Sequence, residues 1–226
     1  MGARDGEDTT SERNLVARIV VTRPSGRVRA LLERLRAAGH EPLHVPLVAL
    51  EPLGDDPIDV DGYDWIVLTS VTGARELRRR MRGEPRRVAA IGAATAEAFG
   101  HADLVPETAT QEGLLAAFPP DPGRVLFAGA ESARPLLADA LEADVVVLYR
   151  TVELTPPEWP GGDLVVLASP SAARTLSRVD RRTPVVSIGP ETSRAARDAG
   201  LSVVAEAAAG DLDSLVEAVE RAVAAS

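Results

Sequence analysis

The sequence predicts an α/β protein built from two flavodoxin-like parallel-sheet domains, the second inserted into the first. Two crossing segments are expected to join them, with an interdomain cleft. Three observations lead there. Short Val, Ile and Leu runs, apolar on both faces, alternate with Ala/Leu/Arg-rich helical stretches, the pattern of a parallel sheet covered by helices. The chain also repeats itself. Asp64-Trp-Ile-Val-Leu-Thr-Ser-Val-Thr-Gly-Ala-Arg-Glu-Leu77 aligns without a gap on Asp163-Leu-Val-Val-Leu-Ala-Ser-Pro-Ser-Ala-Ala-Arg-Thr-Leu176. Finally, two Pro-rich segments of similar character, Glu51–Pro57 and Thr151–Pro160, supply the two crossings that one inserted domain needs.

Taken in order, Gly2–Asn14 is polar, and residues 1–16 read as a disordered tail. Arg18–Thr22 is a strand. Gly26–Ala38 is a helix, with Val28, Leu31, Leu32 and Leu35 at helical spacing and Gly39 as its stop. Leu43–Leu50 is extended but broken by Pro46. Trp65–Thr69, Val88–Ile91, Leu104–Val105, Val125–Phe127 and Val145–Leu148 are strands separated by helices. After the second crossing come strands at Leu164–Leu167, Val185–Ile188 and Val203–Val204, and a last helix that Asp211 caps. The repeat continues through these elements: Val88–Thr95 echoes Val185–Thr192, Thr110–Leu115 echoes Asp211–Val216, and Arg18–Pro24 echoes Arg124–Ala130. Residues 1–48 with 158–226 are expected to form the first domain and 55–150 the second, with linkers at about 49–54 and 151–157.

Composition excludes several chemistries. The chain has no Cys, hence no disulfide, thiolate nucleophile or iron–sulfur cluster. All 25 basic residues are Arg, which removes Schiff-base, pyridoxal and P-loop lysine chemistry. A net charge of −9 argues against nucleic-acid binding. The three His show no metal-ligand spacing, and no Gly-x-Gly-x-x-Gly supports a dinucleotide. His40, after a helix-ending Gly, reads as a surface imidazole, and Arg78–Arg87 as a solvated helix face and loop. No metal or membrane partner is expected, and with no signal peptide or long apolar run the expected location is the cytoplasm.

Small or hydroxylated residues follow the repeated strands: Ser70, Thr72, Gly92, Thr95, Gly129, Ser169, Ser171, Gly189 and Thr192. Each turn alone is a helix cap; gathered on one edge, they are a candidate binding rim for a polyanionic ligand. Arg23, at the end of the first strand, either grips a carboxylate or makes a surface salt bridge. Tyr149, at the mouth of the second crossing, either donates a proton or packs an interface.

Several pieces then carry a resemblance. Val21-Thr-Arg-Pro24, Pro46-Leu-Val-Ala-Leu-Glu-Pro52, Trp65-Ile-Val-Leu-Thr-Ser70, Ala90-Ile-Gly92 with Thr95, Leu148-Tyr-Arg-Thr151, Ala168-Ser-Pro-Ser171 and Ile188-Gly-Pro-Glu-Thr192 together resemble the uroporphyrinogen-III synthase family. The resemblance implies two α/β domains joined by a two-stranded linker, and a cofactor-free lyase. It would close the linear tetrapyrrole hydroxymethylbilane into uroporphyrinogen III, inverting ring D through a spiro intermediate with loss of water. It implies Tyr149 as proton donor, and cleft hydroxyls at Ser70, Thr95, Ser169, Ser171 and Thr192. A monomer is expected, taking its substrate from hydroxymethylbilane synthase. Ala93 and Ala94 depart from the family's pattern by leaving only backbone amides in that turn. Rival readings are a closing anion-binding module, a flavoprotein (disfavoured by 3% aromatic residues) and a synthase-like regulatory protein without activity.

Overall fold

The computed structural model describes residues 16–226, so the expected tail lies outside the described residues except for Val16. Along the chain run β1 (Arg18–Val21), α1 (Arg29–Ala37), β2 (Glu41–His44), β3 (Val48–Pro52), β4 (Ile58–Asp59), β5 (Trp65–Leu68), α2 (Val71–Arg80), β6 (Met81–Arg82), β7 (Val88–Ala90), α3 (Ala93–Phe99) and α4 (Gln111–Ala117). They continue through β8 (Val125–Ala130), α5 (Leu136–Ala140), β9 (Asp144–Glu153), β10 (Leu164–Leu167), α6 (Pro170–Val179), β11 (Val185–Ser187), α7 (Pro190–Asp198), β12 (Val203–Glu206) and α8 (Leu212–Ala224). Two compact units result: Met1–Ala49 with Glu153–Ser226, and Leu50–Val152.

In the first unit the sheet order is β12-β11-β10-β1-β2, and each adjacent pair is parallel. Successive strand residues face opposite sides. Ile19, Val21, Leu164 and Val166 join Leu31 and Leu35 of α1 and Leu215 and Val219 of α8 in one cluster. Val20, Val165 and Leu167 join Ala173 and Leu176 of α6 and Ala196 of α7 in the other. Double-sided burial explains why these strands read as unbroken apolar runs. Each fully buried side chain contributes roughly 1.5–3 kcal/mol.

The second unit has the order β3-β9-β8-β5-β7, and Leu104 adds a parallel bridge to Ala89 beyond β7. The sequence repeat pairs β5 with β10, β7 with β11 and β8 with β1. Under that pairing the two sheets have the same spatial order, although the chain traverses them from different starting strands. The residues shared by the repeat do the same chemistry in both sheets. Asp163 Oδ2 accepts the Arg18 amide at 2.7 Å, anchoring β1 beside β10. Asp64 Oδ2 accepts the Arg124 amide at 3.0 Å, doing the same for β8 beside β5. The repeated Ile-Gly begins where Ile91 N–H donates to Leu68 O (2.9 Å) and Ile188 N–H donates to Leu167 O (3.0 Å).

The break expected at Pro46 separates two strands of different sheets, β2 and β3, because Pro46 has no N–H to give a ladder. Three expectations need correction. β9 does not end at Leu148 but continues to Glu153, so the start of the expected crossing is strand. His40 is buried at 8% exposure, its Nδ1 accepting the Ala17 amide at 3.4 Å. In the arginine run, Arg80 is buried: Nε donates to Asp56 O (3.0 Å) and Nη1 to Leu53 O (2.8 Å), and Met81–Arg82 pairs with Ile58–Asp59. A guanidinium that satisfies loop carbonyls can be buried where a lone charge cannot.

Candidate functional site

Each unit carries its own rim at the carboxyl ends of its parallel strands, the place where ligands bind in open α/β sheets. On the second unit, Ser70 follows β5 and N-caps α2, its Oγ accepting the Gly73 amide at 3.0 Å. The same Oγ lies 2.9 Å from the Tyr149 hydroxyl. Tyr149 is 8% exposed, and its ring shares an apolar cluster with Leu68, Ala74 and Leu126. Ser70 has one proton and two lone pairs. With one lone pair on Gly73 N–H, it can donate to Tyr149, which frees the phenol proton for a third group; with the roles reversed, the phenol proton stays on Ser70. The carbonyl of Tyr149 accepts the Glu131 amide at 2.9 Å, tying the turn after β8 to the same strand.

The other predicted residues of this unit separate. Gly92 N-caps α3 with extended backbone and no side-chain cap bond, leaving that turn's amides without a side-chain acceptor. Thr95, third residue of α3, is 4% exposed. Thr72 is half-buried as the second residue of α2. Gly129 is not in a turn. It lies buried inside β8, where a Cβ would stand 2.8 Å from the Phe127 ring, and Gly73 of α2 packs against it and Ala128. Its size serves helix–strand packing, because β8 runs three residues past the expected end at Phe127.

The first unit mirrors this arrangement. Ser169 N-caps α6, its Oγ accepting the Ala172 amide at 3.2 Å. The Ser171 hydroxyl accepts from Arg174 Nη2 at 3.1 Å. Gly189 N-caps α7, again extended and without a side-chain cap bond, and Thr192 is 3% exposed in the position matching Thr95. Arg23 follows β1. Its carbonyl accepts from His44 Nε2 at 2.9 Å, which assigns the ring proton to that nitrogen. Its Nη1 is buried without a hydrogen-bond partner. Burial and, after it, repulsion from Arg27 lower the Arg23 pKa from the ordinary guanidinium value.

Sequence reasoning missed a buried chain behind α7. Ser187, at the end of β11, and Ser193, in the first turn of α7, are both fully buried with hydroxyls 2.5 Å apart, and Ser193 donates to Glu206 of β12. The Ser70–Tyr149 contact was equally invisible, since the two lie 79 positions apart. Among the described residues no cluster of His, Cys, Asp and Glu could hold a metal ion, and no helix is long and apolar enough to cross a membrane.

Comparisons with known proteins give this geometry its context. The Methanocaldococcus jannaschii protein provisionally named uroporphyrinogen-III synthase is 28% identical over 150 residues, spanning 60% of this chain and 62% of that relative. The uroporphyrinogen-III synthase of Synechococcus elongatus is 25% identical over 248 residues, 90% of this chain and 94% of the relative. Among solved structures, a mutant uroporphyrinogen III synthase from Thermus thermophilus superposes with a TM-score of 0.60 at 17% identity, covering 94% of this chain and 100% of that one. The Helicobacter pylori uroporphyrinogen-III synthetase gives 0.64 at 14% identity, covering 90% and 98%. These likenesses establish the fold. The profile of the family described as Uroporphyrinogen-III synthase HemD matches residues 29–217, and the chain therefore belongs to that family.

Proposed function

We propose that this protein is an active uroporphyrinogen-III synthase that cyclises hydroxymethylbilane with inversion of ring D. The observation that carries the reading is the Tyr149 phenol, buried in the rim of the second unit and bonded at 2.9 Å to a serine whose own position is fixed by a helix N-terminus. Tyr149 protonates the departing hydroxyl, which leaves as water. The azafulvene so formed is attacked by the substituted carbon of the terminal ring. The spiro intermediate fragments, the ring recloses in the inverted sense, and the proton it sheds on regaining aromaticity returns to the tyrosinate. Ser70 donates to the tyrosyl oxygen as its proton leaves. The phenol contributes a modest share, because the uninverted product forms without help and the main demand is positioning.

Substrate carboxylates are bound by the amide-rich turns at Gly92 and Gly189, by the hydroxyls of Thr72, Ser169 and Ser171, and by Arg23. Thr95 and Thr192 buttress those turns from inside. The same reading makes the protein a cytoplasmic monomer that receives its substrate from hydroxymethylbilane synthase. One assay tests the whole. The protein is incubated with enzymatically made hydroxymethylbilane, the product oxidised, and the I and III isomers separated. A dominant III isomer is expected; only the I isomer, at the uncatalysed rate, points instead to a synthase-like protein without activity.

A further inference from the structure

The repeat makes one half of the chain a control for the other, and the two halves differ in one buried place. Ser187 ends β11 and Ser193 lies in the first turn of α7, so the bond between their hydroxyls (2.5 Å) spans the Gly189 turn as a strut. Ser193 passes its proton to Glu206, which stands opposite Ser187 in the β11–β12 register. The end of β12 is held in turn: Arg221 Nη2 donates to Glu206 O at 3.1 Å, and Ala207 N–H donates to Ser187 O at 2.9 Å. In the second unit the matching positions are Ala90, Ala96 and, one residue beyond the Ala89–Leu104 bridge, Val105. The same strand, turn and helix therefore close there with apolar side chains at all three positions. The fold does not require the hydroxyls or the carboxylate, and a buried polar chain gains little stability over apolar packing of the same shape. The turns themselves also differ. The Ala96 and Ser193 amides both donate to the cap glycine's carbonyl, at 3.1 Å and 3.0 Å, but the Thr95 amide donates to Gly92 O as well, at 3.0 Å. Among the described residues no such bond ties the Thr192 amide to Gly189 O. Pro190 has no N–H, so the open donors of the α7 turn are the amides of Glu191 and Thr192.

We propose that Ser187, Ser193 and Glu206 are positioning residues: their strut holds the α7 turn with the Thr192 amide withheld from Gly189, so that the turn meets the substrate without rearranging. The assignment to the substrate rests on the synthase reading; the strut itself does not. Its effect falls on KM and not on the chemical step, since preorganisation lowers the cost of binding. Charge alone predicts the opposite. Glu206 is an anion close to the N-terminus of α7, and removing it strengthens the hold of that terminus on another anion. A rise in KM when the chain is removed therefore reports geometry.

A triple variant of the full chain, Ser187→Ala/Ser193→Ala/Glu206→Val, gives the first unit the residues of the second. It leaves no orphaned partner, so it is expected to melt within about 4 °C of the wild type. With hydroxymethylbilane its KM rises about fivefold or more while kcat stays within about twofold. Glu206→Gln keeps an acceptor for Ser193 and is expected to keep the wild-type KM. Amide hydrogen exchange reads the strut without the reaction. Corrected for intrinsic rates, the amide at position 193 should exchange at least about tenfold more slowly than that of Ala96 in the wild type, and at the Ala96 rate in the triple variant. A larger fall in Tm makes the chain a need of the fold and overturns the proposal. So does exchange at position 193 that is the same in wild type and triple variant, or a Glu206→Gln enzyme whose KM rises as far as the triple variant's. The two readings separate cleanly. A wild type without synthase turnover whose exchange at position 193 depends on the chain keeps the strut and discards the reaction. An active enzyme whose KM ignores the triple substitution keeps the reaction and discards the positioning role.

Discussion

The hydroxyls of Ser70 and Tyr149 lie 2.9 Å apart, and the serine that faces the phenol is the same one that caps α2 through Gly73. One side chain therefore does two things: it ends a strand in a helix, and it fixes the tyrosine's hydrogen-bond geometry. Tyr149→Phe should slow turnover about ten- to a hundredfold without abolishing it, since water can supply a proton. Ser70→Ala should do the same and also cost about 1 kcal/mol of stability through the lost cap. Single-turnover rates of the two variants and of the double variant provide the check. If the pair acts as a unit, the double variant is no slower than the worse single one; multiplicative effects, or a Tyr149→Phe enzyme at wild-type speed, would separate them.

Ser193 stands between Ser187 and Glu206. Its proton goes to the carboxylate and its lone pair to the Ser187 hydroxyl. Ser193→Ala removes the centre of this chain and leaves a fully buried hydroxyl on Ser187 without its partner. We expect a loss of about 2 kcal/mol on urea unfolding. Ser187→Ala should cost less, because Ser193 keeps Glu206. Equal costs would mean that the two hydroxyls do not act in series.

Gly123 has a φ of 75°, and a Cβ there would collide with Asp64 Oδ2. That carboxylate is not free to move: it accepts the Arg124 amide at 3.0 Å and Arg86 Nη1 at 2.8 Å. Gly123→Ala should therefore cost well over the ~1–2 kcal/mol of left-handed backbone strain alone. Gly161, at φ 64° with nothing within 4 Å of a built Cβ, is the internal control. Its alanine variant should show the backbone strain only, and equal thermal destabilisation of both would remove the steric argument.

Asp180 is partly desolvated, which opposes its charge. Hydrogen bonds from Thr183 Oγ1 (2.5 Å), the Arg182 amide (2.8 Å) and Trp159 Nε1 (2.8 Å) outweigh that and hold its carboxyl below the usual carboxylate range. A carboxyl with a depressed folded-state pKa contributes stability that is complete above the unfolded value of roughly 3.9. That contribution is lost as pH falls through the folded value. Asp180→Asn imitates the protonated form. Its Tm deficit should be constant from about pH 7 to about pH 5 and shrink below about pH 4, where the wild type loses the same interaction. A deficit that persists unchanged at about pH 2 would show that shape, not charge, holds this corner.

Much of the architecture was legible because it is written in contiguous residues. The apolar runs at Ile19–Val21, Trp65–Leu68 and Leu164–Leu167 announce strands buried on both faces, and Ser70, Ser169 and Asp211 announce helix starts by the geometry of capping. The repeat added the equivalence of the two sheets. The repeated Asp proved to be strand-anchoring chemistry, present at Asp64 and Asp163 because both sheets need a neighbouring strand fixed at the same place. The rim residues were harder to judge. Ser70 and Ser169 look alike in sequence, and both cap helices, but only Ser70 is bonded to a tyrosine hydroxyl. Gly129 resembled a turn glycine until β8 extended through it.

By itself, then, the sequence determined the number and kind of layers, which strands are equivalent, and where the helices begin. Each depends on periodicity or capping within a few neighbouring residues. Only the tertiary structure decided that Tyr149 meets Ser70, that Arg23 Nη1 is buried without a hydrogen-bond partner, and that His40 and Arg80 are buried. The reason is physical: burial and hydrogen-bond partnership are set by groups brought together across many intervening residues. Hydrophobic periodicity records that a face is covered, but not by what.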